Sequence, residues 1–260
     1  MKIDAESEKR DPYHLQTLAR GAAVLNLLAR QDFLTLKEAS RELELDSSVT
    51  YRLLRTWTST GFLDYDPATK RYHAGLNLLR LATRAHSTSG LPEIEVRLRR
   101  VSQQVDQTAS CSVLAGRFVL YVARVVAHKA LMYQVEIGKT LPAYATSAGH
   151  VLLAFEPLAR VHELFPEPTL LGFTEHTVRS RDELLRRLAE AREQGYAINR
   201  GQLGESIAAV AVPVRDQDGR VVGAFSIAGP EGQFSNDAIY RRYLPALLEA
   251  AKEPVTVLAP

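Results

Sequence analysis

Two groups of side chains in this sequence have the types and spacing to do chemistry. Ser147 and His150 lie three apart at the start of a predicted helix, where an imidazole could take a hydroxyl proton. No carboxylate is placed to orient that imidazole. The chain also has no G-x-S-x-G, Walker loop, H-E-x-x-H or C-x-x-C motif. We therefore expect no catalytic residue, with Ser147 lining a cavity and His150 partly exposed. The second group is Ser47, Ser48, Tyr51, Arg52 and Arg55. Small hydroxyls at a helix N-terminus, followed by an aromatic ring and two guanidinium groups, suit a helix inserted in a DNA major groove. Lys70 and Arg71, at the exit of a predicted turn, suit contacts to backbone phosphates.

Other chemistries find little support. His14, His73, His86, His128, His150, His162 and His176 are scattered, and no helical or hairpin spacing brings three together. No metal or other cofactor is expected. Cys111 is the only cysteine, which excludes a disulfide framework and a thiolate zinc cluster and makes a reducing cytoplasm the default. Its simplest role is that of a small hydrophobe in a buried strand. No apolar run is long enough to span a bilayer, and residues 1–13 form a charged tail, read as disordered, not a secretory signal. The formal net charge is +2, so nucleic-acid binding would rest on where the arginines point and not on bulk charge. Glu38, Glu42, Glu44 and Asp46 near the reading helix should weaken non-specific binding.

The elements that must carry these side chains follow from period and caps. Thr35 and Glu38 have capping-box spacing, which starts a helix at Leu36 with Leu36, Ala39 and Leu43 on one face. Only Glu44 and Leu45 then precede Asp46, an N-cap residue for a second helix. On that helix Val49, Leu53 and Trp57 would face a core. Upstream, Leu18, Ala22, Leu25, Leu28 and Ala29 make an apolar stripe at helical period. Downstream, residues 62–65 and 71–74 read as strands about a turn at 66–70. Three helices followed by a β-hairpin is the order of a winged helix-turn-helix.

Residues 76–87 and 92–107 read as two linker helices broken by Ser89 and Gly90. The first carries Leu78, Leu79, Leu81, Ala82 and Ala85, more apolar surface than a lone connecting helix needs. Strands are predicted over 112–115, 118–126, 131–137, 210–214 and 220–227, and helices over 147–155, 157–164 and 236–252. Ser180 and Glu183 make a second capping box, whose helix runs through Leu184, Leu188 and Ala191 to a stop at Gly195. Hairpins mixed with separate helices give an α+β domain with a mostly antiparallel sheet. The predicted organisation is a tail at 1–13, a winged helix-turn-helix at 14–75, linker helices at 76–107 and a second domain at 108–260.

The chain resembles the IclR family of bacterial transcriptional regulators. The resemblance runs through LARGAAVLNLLA from Leu18, the T-x-K-E-A helix at Thr35, YRLL at Tyr51 and GFL at Gly61. It continues through GKTLPAYATSAGHVLLA from Gly138, EQGYAINRGQ from Glu193 and VAVPVRDQDGRVVGAFSIAGP from Val210. It implies a regulator that binds double-stranded operator DNA through the first domain, as a homodimer or homotetramer on a palindrome. The second domain is implied to be GAF-like and to bind a small organic acid, with no membrane partner.

Pocket positions carry over from the family one at a time. They are Ala130, Tyr133 and Leu141, then Ser147 and Ala148 at a helix start, then Asn199, Ala209, Ser226 and Ala228. Several depart from the family's usual residues. Asn199 replaces an acidic residue, Ala209 a cysteine, Ala228 the second serine of a Ser-x-Ser pair, and His150 a lysine. The alanines remove polar atoms and enlarge the cavity, and Asn199 removes a carboxylate that would repel an anion. We favour an aromatic acid such as a hydroxybenzoate, with the Ser147 and Ser226 hydroxyls and the Asn199 amide as donors. The alternatives are an enzyme built on a GAF-like domain, which needs a base and nucleophile in reach, and a protein-interaction module, which needs apolar residues at positions 47, 48 and 52.

Overall fold

The computed structural model describes residues 13–127 and 135–255. Residues 1–12, most of the strand expected over 131–137, and the pocket positions Ala130 and Tyr133 lie outside the described residues. Residues 135–137 form no strand. The chain divides into two compact units between Ala85 and His86.

The first unit contains α1 (Gln16–Leu28), α2 (Leu36–Leu43), α3 (Ser47–Ser59), β1 (Leu63–Asp66) and β2 (Arg71–Ala74), and α4 (Leu76–Thr88) runs through the division. The Thr35 capping box is complete: the Glu38 N–H donates to Thr35 Oγ1 at 3.2 Å, and the Thr35 N–H donates to the Glu38 carboxylate at 2.9 Å. Glu44 ends α2 in the left-handed region, at φ 53°, so α3 can begin three residues later. Asp46 stands at the N-cap of α3, but its side chain makes no cap hydrogen bond.

Two apolar faces differ in phase from those expected. On α1, Gly21, Val24 and Leu28 are buried, while Leu18 is 63% exposed. The cause lies on α3. Trp57 Nε1 donates to the Gly21 carbonyl at 2.9 Å, and a β-carbon at Gly21 would lie 3.3 Å from the indole. The helix rotates to bring its smallest residue under the ring. On α3 the buried face is Thr50, Leu53 and Leu54, with Val49 and Trp57 half-buried. Thr50 is tolerated there because its hydroxyl donates to the Asp46 carbonyl at 3.1 Å.

The second unit contains α5 (Leu91–Val105), β3 (Thr108–Ala115), β4 (Phe118–Val125), β5 (Thr140–Pro142), α6 (Ser147–Ala154), α7 (Leu158–Leu164), α8 (Arg181–Gln194), β6 (Ala197–Arg200), β7 (Ile207–Arg215) and β8 (Val221–Pro230), then α9 (Asn236–Ala238) and α10 (Leu244–Ala251). Its six-stranded sheet has the order β5-β4-β3-β8-β7-β6 and is antiparallel throughout. This is the α+β class expected. Helix α5 is not a free linker: Ile94, Leu98, Val101 and Val105 are buried in the core that also holds Val210, Val212, Phe225 and Ile227. Arg97 on α5 is buried too, pairing with Glu93 and donating to the Ala250, Glu253 and Pro254 carbonyls. The helix expected over 236–252 is interrupted by a π-helical turn at Ile239–Tyr243. Pro245 explains its place, because proline lacks the N–H that would bond the Arg241 carbonyl one turn back.

The sheet has two covered faces. Successive residues of a strand alternate between faces, so Cys111, Phe225 and Ile227 join α5 and α10, while Ala211 and Ala224 join α6, α7 and α8.

Candidate functional site

In the first unit, Ser47, Ser48, Tyr51, Arg52 and Arg55 are all exposed along one side of α3. Their burial pattern is the complement of Thr50, Leu53 and Leu54, which fixes α3 to the core and leaves the other side open. Among the described residues Arg52 has no ion-pair partner. The turn between β1 and β2 is built by Asp66, whose carboxylate accepts from the Ala68 N–H at 2.9 Å and the Thr69 hydroxyl at 2.5 Å. Those bonds, the Thr69 hydroxyl foremost, hold the Asp66 carboxyl below its ordinary pKa. Lys70 follows in the left-handed region, at φ 56°, and is exposed. Arg71 is less free than its position in the turn implied: its guanidinium stacks 3.7 Å above the Phe33 ring.

In the second unit a cavity of about 60 Å³ opens between the sheet and the start of α6. One water needs only about 10–15 Å³, so this is room for a small organic molecule. Its floor is set by register. Asn199, Ala209, Ala228 and Thr108 pair across four strands to form one row. Ser226, Ser110 and Arg124 form the next. Thr146 and Ser147 at the start of α6, with Leu141 and Leu203, close the other side.

Six of the expected pocket positions meet here: Leu141, Ser147, Asn199, Ala209, Ser226 and Ala228. Ala148 does not; it is buried in the α6 core. Asn199 lines the cavity but has its polar atoms engaged. Its Nδ2 donates to the Ala145 carbonyl at 2.6 Å, and its Oδ1 accepts from the Gln202 N–H at 3.2 Å. It braces the wall more than it offers a donor. Ser110, Tyr121 and Arg124 were not anticipated. Period-two alternation puts residues 121 and 124 on opposite faces. A β-bulge reverses that, because Cys111 pairs with Ala123 but Ser112 pairs with Tyr121, leaving Val122 as the extra residue. No local signal in the sequence marks a bulge there.

Among the described residues no hydrogen bond joins Ser147 to His150; the imidazole bonds the Tyr144 carbonyl instead. All eight residues of α6 are buried, His150 included, which corrects the expectation that it is partly exposed. Its Nε2 lies 2.7 Å from the Tyr144 carbonyl, which can only accept, so Nε2 carries the proton and donates. Burial pushes its pKa down to about 4, partly opposed by that hydrogen bond. Gly149 beside it permits close packing, since a β-carbon there would overlap the Ala143 backbone. Cys111 is fully buried, and burial raises its thiol pKa to about 12, so it behaves as a hydrophobe. Among the described residues, no three His, Cys, Asp or Glu side chains converge on a metal position, and no helix is long and apolar enough to cross a membrane.

Comparison with known proteins agrees with this division. The family model described as "IclR helix-turn-helix domain" matches residues 17–67, and "Bacterial transcriptional regulator IclR C-terminal" matches residues 85–256. The glycerol operon regulatory protein of Streptomyces coelicolor is 31% identical over 247 residues, 92% of this chain and 93% of that protein. An IclR transcriptional regulator from Alicyclobacillus acidocaldarius superposes with a TM-score of 0.82 at 28% identity, covering 92% of this chain and 97% of that one. An IclR homologue from Microbacterium hydrocarbonoxydans, solved in complex with 4-hydroxybenzoate, has a TM-score of 0.75 at 24% identity, covering 91% and 98%.

The buried imidazole makes stability depend on pH. A histidine with a folded pKa of about 4 and an unfolded value near 6.5 binds more protons when unfolded. Its contribution is fully present above pH ~6.5 and is lost as pH falls towards 4. Urea unfolding should show a loss of about 3 kcal/mol across that window, and His150→Gln should flatten it. An equal pH dependence in both proteins would show that His150 is not the titrating group.

Proposed function

Because the chain belongs to the IclR family of bacterial transcriptional regulators, we propose that it is a cytoplasmic regulator whose affinity for operator DNA is set by a small organic acid held in the second unit. The cavity on the α6 face carries this reading. Its described lining combines apolar walls with a few placed polar groups, which is the makeup of a binding site. Ala209 and Ala228 leave space where larger side chains would fill it, and Ser147 and Ser226 offer hydroxyls.

A single-ring acid such as a hydroxybenzoate is the favoured effector. The fold neighbour solved with 4-hydroxybenzoate supports it, as does the Tyr121 ring in the wall. Size sets a condition. The cavity, at about 60 Å³, is smaller than the ~150 Å³ engineered void that takes benzene. A ring would enter once Leu141 and Leu203, both half-buried, turn outward. Short-chain acids would enter without that change.

On the DNA side, Ser47, Ser48, Tyr51, Arg52 and Arg55 read the major groove, while Lys70 and Arg71 touch phosphates. The Phe33 stack holds Arg71 in place, which lowers the entropy lost on contact. The chain acts as a homodimer or homotetramer. Helix α4 has no buried residue, and Leu76, Leu79 and Leu81 are 77%, 63% and 55% exposed. A second copy of α4 is the occupant that would cover them.

Three outcomes test this reading. Arg52→Ala should cost roughly 1–3 kcal/mol on the operator and relax preference at one base position. Lys70→Ala should weaken specific and random DNA alike and flatten the salt dependence by about one ion; equal losses from both changes on both DNAs would sink the division of labour. Light scattering at micromolar concentration should give a dimer or tetramer, and joint Leu79→Glu and Leu81→Glu changes should yield monomers; a monomeric parent refutes α4 pairing. Ala209→Trp should fill the cavity and abolish acid binding by calorimetry across short-chain and single-ring acids while operator binding survives. Undiminished binding in that variant would place the ligand elsewhere.

A further inference from the structure

Arg124 is the one charged side chain among the described residues that line the cavity. The bulge at Val122 turns it there, opposite Ser110 and in line with Ser226. Its fork is half fixed. Nη1 donates to the Val135 carbonyl at 2.7 Å, while Nη2 is buried and has no hydrogen-bond partner among the described residues. A guanidinium stays charged in a protein, even though burial, the main influence here, pulls its pKa below the ordinary value. Glu136 acts on it from a distance but is exposed and pairs with Lys139 at 3.6 Å. A buried cationic N–H left unmatched is costly, and an anion in the cavity would satisfy it. The Ser110 and Ser226 hydroxyls in the same row make no side-chain hydrogen bond among the described residues.

We propose that Arg124 selects the charge of the effector: its guanidinium receives the carboxylate of an anionic acid, with the Ser110 and Ser226 hydroxyls beside it. This rests on the reading of the cavity as the effector site and adds a ligand class to it. As the one cation in the described lining, Arg124 favours a negatively charged ligand over an uncharged one. Ser147, across the cavity at the start of α6, is left for the ligand's second polar group. A hydroxyl or keto oxygen meets that description, so the effector is an acid with its second function at the far end.

Calorimetry on the full chain tests this with matched probes: 4-hydroxybenzoate, benzoate and pyruvate, each against its uncharged primary amide. At least one acid should bind the parent protein, and its amide should bind roughly tenfold to a hundredfold more weakly, the range for hydrogen bonds to charged groups. Arg124→Gln keeps a donor for the Val135 carbonyl and removes the charge. It should lose the same factor for the acid and leave the amide unchanged, and Arg124→Lys should recover part of the loss. The parent comparison needs no variant, so a poorly folded Arg124→Gln cannot obscure it. Equal affinity for acid and amide, or no binding of any acid, overturns the proposal. Ala209→Trp separates the two readings. Acid binding lost there but kept in Arg124→Gln leaves the cavity as the site and removes Arg124 from it. Acid binding kept in Ala209→Trp rejects the cavity itself.

Discussion

The second unit depends on a segregation of side-chain size across one sheet. The same strands place large residues on the face under α5 and α10 and small ones on the face under α6. Phe225 and Ile227 alternate with Ala224, Ser226 and Ala228 on β8, and Val210 and Val212 alternate with Ala209 and Ala211 on β7. The first face packs as a solid core. The second leaves space that no neighbouring side chain reaches. Protein interiors otherwise pack as densely as organic crystals, so a void bounded by the sheet and a helix needs walls that cannot relax inwards. Both faces bury apolar side chains, and the small residues under the start of α6 keep the opening.

Those walls are held by polar pins. Asn199 ties β6 to the Ala145 carbonyl and to the Gln202 N–H. The Thr177 hydroxyl accepts from the Phe173 and Thr174 N–H groups and donates to the Gln202 carbonyl at 2.6 Å. Thr146 caps α6 through the Gly149 N–H at 3.0 Å. Each bond joins backbone segments that would otherwise carry unpaired buried groups, so movement of one breaks several at once. Gly149 fixes the remaining distance, because only a residue without a β-carbon lets α6 approach the Ala143 backbone. Asn199 thus has a structural role at a position where a ligand contact was expected.

What could be read in the sequence is what neighbours in sequence determine. The Thr35 capping box, the Gly195 helix stop and the hairpin at Asp216–Gly219 are local bonding choices, and each stands where its residues put it. Ser180 fulfils half of its expected box: its hydroxyl accepts from the Glu183 N–H at 3.2 Å. The parts that escaped were set at a distance. The phase of α1 follows from a tryptophan 36 residues away. Arg124 reaches the cavity through a bulge that exists only in the pairing of β3 with β4. The burial of His150 follows from α6 lying wholly inside the unit, which helical periodicity alone cannot indicate, since a helix buried all round has no polar stripe.

Charge in the first unit bears on how the protein would hold DNA. Helix α3 follows Glu42, Glu44 and Asp46 in the chain, and Arg41 is paired with Glu42 at 3.0 Å. Glu38 is held below its ordinary pKa, chiefly by the Thr35 hydroxyl, and so stays anionic. The proposed cations Arg52, Arg55, Lys70 and Arg71 could each neutralise one phosphate, about four counterions released per copy. With arginines partly committed to bases, the phosphate share is smaller still. One copy would therefore bind weakly and depend only mildly on salt. Two copies joined rigidly would double the slope and convert the second contact into an intramolecular one at high effective concentration. The near-neutral first unit and the exposed leucines of α4 then meet a single requirement. A domain with little non-specific attraction would gain most from pairing, and pairing would make half-site spacing part of what is recognised.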